Sequence, residues 1–275
     1  MLELSKEEKA LVVSYIYARC GIDLKTKEYL VASKVGLECF KRHIGSFQEF
    51  WLKLSGHDAE AAALQQCLID ILTTSYSYFY REEDHFEILT DLLAQGKLPV
   101  QGQQMLQGWC AGCAGGQEPY TLAMSLMAAV QAGKLHTAYR ITASDVSSKA
   151  IAQAKKGHYA MSDYVRLPEP WRKAYCFVVQ GGCEIRKAIR DKVIFHQENL
   201  LQPQVTEACY DFVFCRNVLI YFDKDSSRKL LGVLRHTLHP GGYLFLGHTE
   251  IFNDLPGFQY LAPAVYQKVR DVDDI

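Results

Sequence analysis

Residues 105–120, MLQGWCAGCAGGQEPY, set three glycines and a proline between an apolar run and a helix-forming one. Gly112, Gly115 and Gly116 carry no side chain to hold a ligand off the backbone, and Pro119 is pre-set for a first helical turn. The free N–H groups of such a helix start suit an anionic group of a nucleotide-like ligand. The spacing is not G-x-G-x-x-G, so a merely tight turn fits equally well. Residues 71–89, ILTTSYSYFYREEDHFEIL, place the Thr73, Thr74, Ser75 and Ser77 hydroxyls and the Tyr76, Tyr78, Phe79 and Tyr80 rings ahead of Arg81. That series suits a pocket with a polar floor, or an N-cap followed by core aromatics.

Further along, Asp145 closes a β-like stretch, where an acid accepts hydrogen bonds from ribose hydroxyls in nucleoside-binding folds. As N-cap of the helix at 147–155 it would satisfy the same pattern. Trp109-Cys110-Ala111-Gly112-Cys113 has the W-C-x-x-C form of a dithiol oxidoreductase. That redox unit belongs to a much smaller domain and leaves Asp145, Asn199 and Asn217 unexplained. No second cysteine pair stands at zinc spacing, Cys209 and Cys215 included, and His248 and Glu250 read as hydrogen-bonded residues at a strand end. No metal is expected.

The elements that must position these residues follow from periodicity. Residues 1–72 show capping boxes at Ser5–Glu8 and Ser46–Glu49, a Gly21 stop, a second helix over 27–43 and no β-like alternation, which predicts an all-helical lobe. Residues 73–96 form a linker and pocket segment ending in a helix from about Glu82 to Gln95. From 97 to 275 the chain alternates strands and helices, with strands at 139–145, 193–195, 210–215 and 243–248 and a closing hairpin around Pro263. About 160–192 breaks the alternation and reads as a small antiparallel insert. The helix after Asp225 is expected to stop at His239-Pro240-Gly241-Gly242, and Asp271–Ile275 to be a frayed tail. In an open α/β, Rossmann-like sheet, ligands bind at the carboxyl ends of strands, so Asp145, Asn199 and Asn217 converge with the glycine turn on one crevice.

Composition narrows the class. At 275 residues with 49% hydrophobic content the chain is globular, and a net charge of -1 offers no bulk attraction to nucleic acid or an anionic membrane. No apolar run approaches a membrane span and Ser5–Lys9 are unlike a signal peptide, so a cytoplasmic, monomeric protein without membrane insertion is expected. Nine scattered cysteines read as reduced and mostly buried. Lys27, Lys34 and Lys41 recur every seven residues, which suits docking of an acidic protein helix or an ordinary solvated face.

Four ordered stretches resemble the CheR-type chemotaxis receptor methyltransferases: LTTSYSYFYREEDHF (72–86), GWCAGCAGGQEPYTLAM (108–124), ITASDVSSKAIAQAKKGHY (141–159), and DFVFCRNVLIYFDKDSSRKLL through LHPGGYLFLGHTE (211–250). The likeness implies a class I methyltransferase domain using S-adenosylmethionine, an inserted antiparallel β-subdomain and a helical N-terminal domain. It implies O-methylation of glutamate side chains on the cytoplasmic domain of membrane chemoreceptors, with S-adenosylhomocysteine as product. By resemblance, the cofactor contacts fall on Ser75, Ser77, Arg81, Glu118, Asp145, Asn199, Leu200, Arg216 and Asn217. Asp145 would hold the ribose, Glu118 the methionine end and Asn199-Leu200 the adenine, with Arg81 and Tyr221 at the methyl-transfer centre. Ser75 and Ser77 depart from the usual Asn and Thr, and Ala114-Gly115-Gly116-Gln117 from a Ser-Thr-Gly-Glu turn. Lys on the second helix replaces Arg, which loses bidentate carboxylate geometry. The helical lobe's Lys stripe and the insert would be the docking surfaces. The runner-up is a methyltransferase for another acidic protein or a small carboxylate; a non-catalytic adaptor is disfavoured by the retained Arg81, Asp145, Asn217 and Tyr221.

Overall fold

The computed structural model describes residues 2–98, 105–204 and 207–269. The chain begins with α1 (Lys6–Cys20), a 3₁₀ turn (Lys25–Lys27), α2 (Glu28–Lys41), α3 (Phe47–Leu54) and α4 (Ala59–Leu72). Ser5 accepts from the Glu8 N–H while the Glu8 carboxylate accepts from the Ser5 N–H, and Gly21 closes α1 in the left-handed conformation. Ser46 caps α3, but Glu49 reaches the Gly45 N–H instead of that of Ser46, so only half of the second box forms. Val12, Ile16, Val31, Val35, Phe50 and Leu64 belong to one apolar core that these helices share.

After α5 (Asp84–Ala94) the chain alternates through β1 (Met105–Ala111), α6 (Gln117–Gln131), β2 (Ala138–Asp145) and α7 (Ser148–Lys156). A small module follows: β3 (His158–Ala160), α8 (Met161–Tyr164), α9 (Glu169–Tyr175), β4 (Cys176–Val179), β5 (Gly182–Ile185) and α10 (Lys187–Arg190). Alternation resumes with β6 (Val193–Gln197), β7 (Tyr210–Cys215), a 3₁₀ turn (Leu219–Tyr221), α11 (Lys224–Thr237) and β8 (Leu238–Leu246), and closes with β9 (Phe258–Ala262) and β10 (Val265–Lys268).

The large sheet has the order β6-β2-β1-β7-β8-β10-β9. Its first five strands run parallel, and β10 pairs antiparallel with both β8 and β9. Every residue of β7 is buried, as a central parallel strand requires. Gly108 lets β1 accept its neighbour, because a Cβ there would lie 2.2 Å from the Phe212 ring. Chain order reverses between β1 and β7, which opens a crevice at their carboxyl ends.

Two expectations change. The insert begins earlier than residue 160, since His158–Ala160 pairs with β5 as a third strand too short to show a period. The stop expected at His239-Pro240-Gly241-Gly242 is instead strand: α11 ends at Thr237, and the β7–β8 register jumps from Tyr210↔Leu238 to Phe212↔Tyr243. This bulge accommodates Pro240, which has no N–H for a regular ladder. The tail at Asp271–Ile275 lies outside the described residues.

The helical lobe is tied over the crevice. Ile22 bridges Phe222, the Tyr17 hydroxyl donates to Asp223 at 2.8 Å, and Asn199 Nδ2 donates to the Arg19 carbonyl at 2.8 Å. Ser148 Oγ donates to Asp70 at 2.7 Å on the far side. Among the described residues no helix is long and apolar enough to cross a membrane.

Candidate active site

β1 leaves the sheet into a tight turn whose Gly112 and Cys113 N–H groups both donate to the Ser144 carbonyl, at 2.8 and 2.9 Å. Gly112 has φ +80° and a Cβ there would meet Val218 at 2.5 Å; Gly116, at φ +91°, would meet the Tyr159 hydroxyl at 2.8 Å. Glycine is required at both. Ala114 nonetheless adopts φ +48°, a strained conformation for a residue with a Cβ. What holds it is Asp145, one of whose carboxylate oxygens accepts from the Ala114 N–H at 2.9 Å.

The other Asp145 oxygen accepts from the Ser147 N–H at 2.9 Å. Ser147 itself caps α7, accepting from Ala150, so the capping reading of Asp145 is corrected. Each carboxylate oxygen retains acceptor capacity toward the crevice. Burial raises the Asp145 pKa, and the Ser147 and Ala114 N–H groups pull it back.

Arg216 follows β7 and is 5% exposed. Its Nε lies 3.3 Å from Glu82 and 3.3 Å from Glu118, its Nη2 donates to the Arg81 carbonyl, and its Nη1 is buried without a hydrogen-bond partner among the described residues. Glu118, in the first turn of α6, also accepts from the Cys110 thiol at 3.0 Å. Asn217, at φ +57°, is fixed by its N–H to Glu250 at 2.8 Å and its Nδ2 to Glu82 at 3.3 Å. Glu250 further accepts from the N–H groups of Gly247 and Ile220. Burial raises its pKa while those bonds lower it, and its role is to organise this loop.

Ser75, Ser77 and Arg81, Glu118, Asp145, Asn199 and Leu200, and Arg216, Asn217 and Tyr221 all line one cavity of ≈ 380 Å³. Thr73, Thr74 and Tyr76 line it too, whereas Phe79 is in the core with Tyr80 packed against it, so the rings of that segment divide between pocket and packing. Asn199 is already committed, its Nδ2 to Arg19 and its Oδ1 to the Leu201 N–H. Tyr221 has its phenol pKa raised by burial, with Arg81 near enough to lower it in part.

Sequence reasoning missed the first lobe's share of the wall. Cys20, Ile22, Leu24 and Lys27 line the cavity, and the Lys27 ammonium lies 5.1 Å from the Tyr221 ring centroid. Lys34 donates to the Ile71 carbonyl, while Lys41 is exposed. The three lysines therefore do not present one free basic face: Lys27 lines the cavity, Lys34 is spent on Ile71 and only Lys41 is fully exposed. Glu82, which joins Arg216 to Asn217, was also missed; nothing in the one-dimensional run Arg81-Glu82-Glu83-Asp84 distinguishes it.

Burial removes the dithiol alternative. Cys110 lies within β1, both Cys110 and Cys113 are fully buried, and burial raises both thiol pKa values well above the ordinary range. Neither supplies the thiolate such chemistry needs. Glu82, His85 and His248 approach within 4.8 Å of one another, but the Arg216 guanidinium on Glu82 opposes a cation there.

The donor set fits a nucleoside with a zwitterionic tail. Asp145 has acceptor capacity for ribose hydroxyls, Arg216 Nη1 has a donor to give a carboxylate, Glu118 offers a carboxylate for an ammonium, and Gly112 and Ala114 bring the turn itself into the cavity wall. A family model described as CheR methyltransferase, SAM binding domain, matches residues 75–264. The protein is a class I S-adenosylmethionine-dependent methyltransferase. Chemotaxis protein methyltransferase 1 of Pseudomonas aeruginosa is 34% identical over 247 residues, 88% of this chain and 89% of that protein. The chemotaxis protein methyltransferase of Borreliella burgdorferi is 27% identical over 277 residues, 97% of this chain and 96% of its own. Among solved structures, the N-methyltransferase NodS from Bradyrhizobium japonicum, in complex with S-adenosyl-L-homocysteine, aligns over 66% of this chain and 70% of its own at 18% identity, with a TM-score of 0.36. The chain belongs to the CheR methyltransferase family.

Proposed function

We propose that this enzyme esterifies glutamate side chains on the cytoplasmic part of bacterial chemoreceptors, leaving S-adenosylhomocysteine. Relatives named chemotaxis protein methyltransferases support the reading. The observation that carries it is the mouth of the cavity, where Arg81, Tyr221 and Lys27 set two cations and a phenol around the place where an acceptor must enter.

Asp145 would hold the ribose hydroxyls, Arg216 and Glu118 the two charges of the methionine end, Leu200 one apolar side of the adenine, and Ser75, Ser77 and Asn217 the remaining polar edge. The bound cofactor supplies a methyl group on a positively charged sulfur. A glutamate with an ordinary pKa near about 4.3 is ionised at neutral pH, so no general base is needed. The cofactor, when bound, would pass that methyl to the carboxylate oxygen with the sulfur keeping the electron pair, so no proton has to be moved and the protein's task is to place the two. Arg81 and Tyr221 orient the carboxylate and exclude water. Residues 1–72 would serve as the docking domain and 73–96 as linker and pocket wall. Residues 97–275 form the catalytic domain, whose antiparallel module is a second docking surface. The enzyme would act as a monomer in the cytoplasm.

The test is incubation with labelled S-adenosylmethionine and cytoplasmic chemoreceptor fragments. Base-labile release of methanol supports the reading, and base-stable label overturns it. Arg81→Ala should lower kcat by about 10- to 100-fold at saturating cofactor; full turnover would remove the role given to Arg81.

A further inference from the structure

Beyond the cofactor cavity, the segment leading to Arg81 meets the antiparallel module at one aromatic ring. The Arg166 guanidinium carbon lies 4.4 Å from the Tyr78 ring centroid and that of Arg81 lies 5.5 Å from the same centroid. Tyr76 packs beside Tyr78 at 6.2 Å between centroids and is 66% exposed. Arg81 lines the cavity, whereas Arg166 sits in the exposed turn between α8 and α9.

We propose that Arg166 and Tyr78 form a subsite for a second carboxylate of the acceptor protein, close to the glutamate that is methylated. The subsite rests on the proposed methylation of receptor glutamates and adds a sequence requirement to it. Arg81 already has a partner in Glu82, 3.8 Å away. Arg166 is exposed and makes no ion pair among the described residues: its guanidinium rests against the Tyr78 ring, the Asp163 carboxylate acts on it only through space, and its backbone N–H donates to the Asp163 carbonyl at 3.1 Å. A guanidinium close to a tyrosine ring gains cation–π attraction there and needs little further ordering to grip a carboxylate with its two-pronged edge.

Spacing follows from the shared ring. The Arg81 and Arg166 guanidinium carbons, each placed by its distance to that one centroid, are at most about 10 Å apart, close to two turns of a helix at a pitch of about 5.4 Å. On an acceptor helix the second acid therefore stands three, four or seven residues from the methylated glutamate, on the same face. The module's contribution is thus to read the acceptor next to the reacting atoms.

The experiment measures KM and kcat for a chemoreceptor cytoplasmic fragment with wild-type, Arg166→Ala and Arg166→Glu enzymes, and the affinity of each for S-adenosylhomocysteine by calorimetry. The expected result is a KM raised about threefold by Arg166→Ala and about tenfold or more by Arg166→Glu, a smaller change in kcat and wild-type cofactor affinity. The KM difference should shrink at high salt. Changing the fragment's acids within two turns of the target to Gln should raise the wild-type KM and erase the difference between the enzymes. A wild-type KM for Arg166→Glu overturns the subsite while leaving receptor methylation standing. If the wild-type enzyme binds cofactor but labels no fragment, receptor methylation fails and the subsite with it.

Discussion

Arg216 Nε and Glu118 Oε2 lie 3.3 Å apart, joining the end of β7 to the first turn of α6 across the point where the strand order reverses. Because Glu82 stands at the same distance from that nitrogen, one guanidinium balances two largely buried carboxylates and fastens the segment before α5 to the sheet. Arg216→Met should therefore destabilise the fold by about 3–5 kcal/mol, since both acids lose their cation. Arg216→Lys should recover part of that stability but not the geometry. Urea unfolding of both variants, with S-adenosylhomocysteine calorimetry on whichever remains folded, checks the expectation.

Asp145 is asked to do two things at once. It holds Ala114 in its left-handed conformation and anchors Ser147, and in the proposed complex it also accepts from the ribose. An amide presents only one acceptor oxygen, so Asp145→Asn loses one of the two backbone bonds as well as the charge. Affinity for S-adenosylhomocysteine should fall by about 10- to 100-fold. Calorimetry reading less than a twofold change would remove Asp145 from the cofactor site.

His85 gives the fold an acid-sensitive element. It is fully buried, its Nε2 is 3.3 Å from the Pro263 carbonyl, and burial together with Arg216 depresses its pKa from 6.5 to about 4. The unfolded chain binds this proton more readily, so the stability is whole above pH 6.5 and is lost as pH falls toward 4. Asp211 acts oppositely, burial having raised its pKa to about 6 from 3.8: its contribution is whole below 3.8 and lost as pH rises through 6. The two windows overlap and flatten the wild-type profile. His85→Gln should remove about 2 kcal/mol of acid destabilisation between about pH 7.5 and about pH 5. Denaturant midpoints at the two pH values, variant against wild type, supply the measurement.

Cys110 and Cys113 should resist alkylation by iodoacetamide in the native protein and react only after unfolding, because both are fully buried with raised pKa values. Peptide mass spectrometry resolves them from Cys67 and Cys209, which are partly exposed. Rapid native labelling of Cys110 or Cys113 would reopen the dithiol reading.

How far the sequence reached can be judged from particular residues. Ser5–Glu8, Gly21, the run into Gly112–Gly116 and the strand ending at Asp145 are each settled by neighbours within a few positions, since caps, left-handed turns and periodicity are local. Their order along the chain, with the family resemblance, was enough to name part of the cavity lining, Asp145 and Arg216 included, but not the share that the first lobe supplies. Local rules had no hold on Leu238–Leu246, where a strand runs through Pro240 because β7 and β10 flank it. Nor could they show β3, whose three residues are strand only through pairing with β5.

The amino-acid order by itself determined the helical lobe, the alternating catalytic core and the polar groups at strand ends, because these depend on bonds between residues close in the chain. Only the tertiary structure decided that Lys27 turns into the mouth beside Tyr221, that Arg216 lies between Glu82 and Glu118, and that Arg166 joins Arg81 at Tyr78. Those are contacts between distant segments, fixed by how the helical lobe and the inserted module pack against one sheet edge. Spacing along a chain carries no term for that packing.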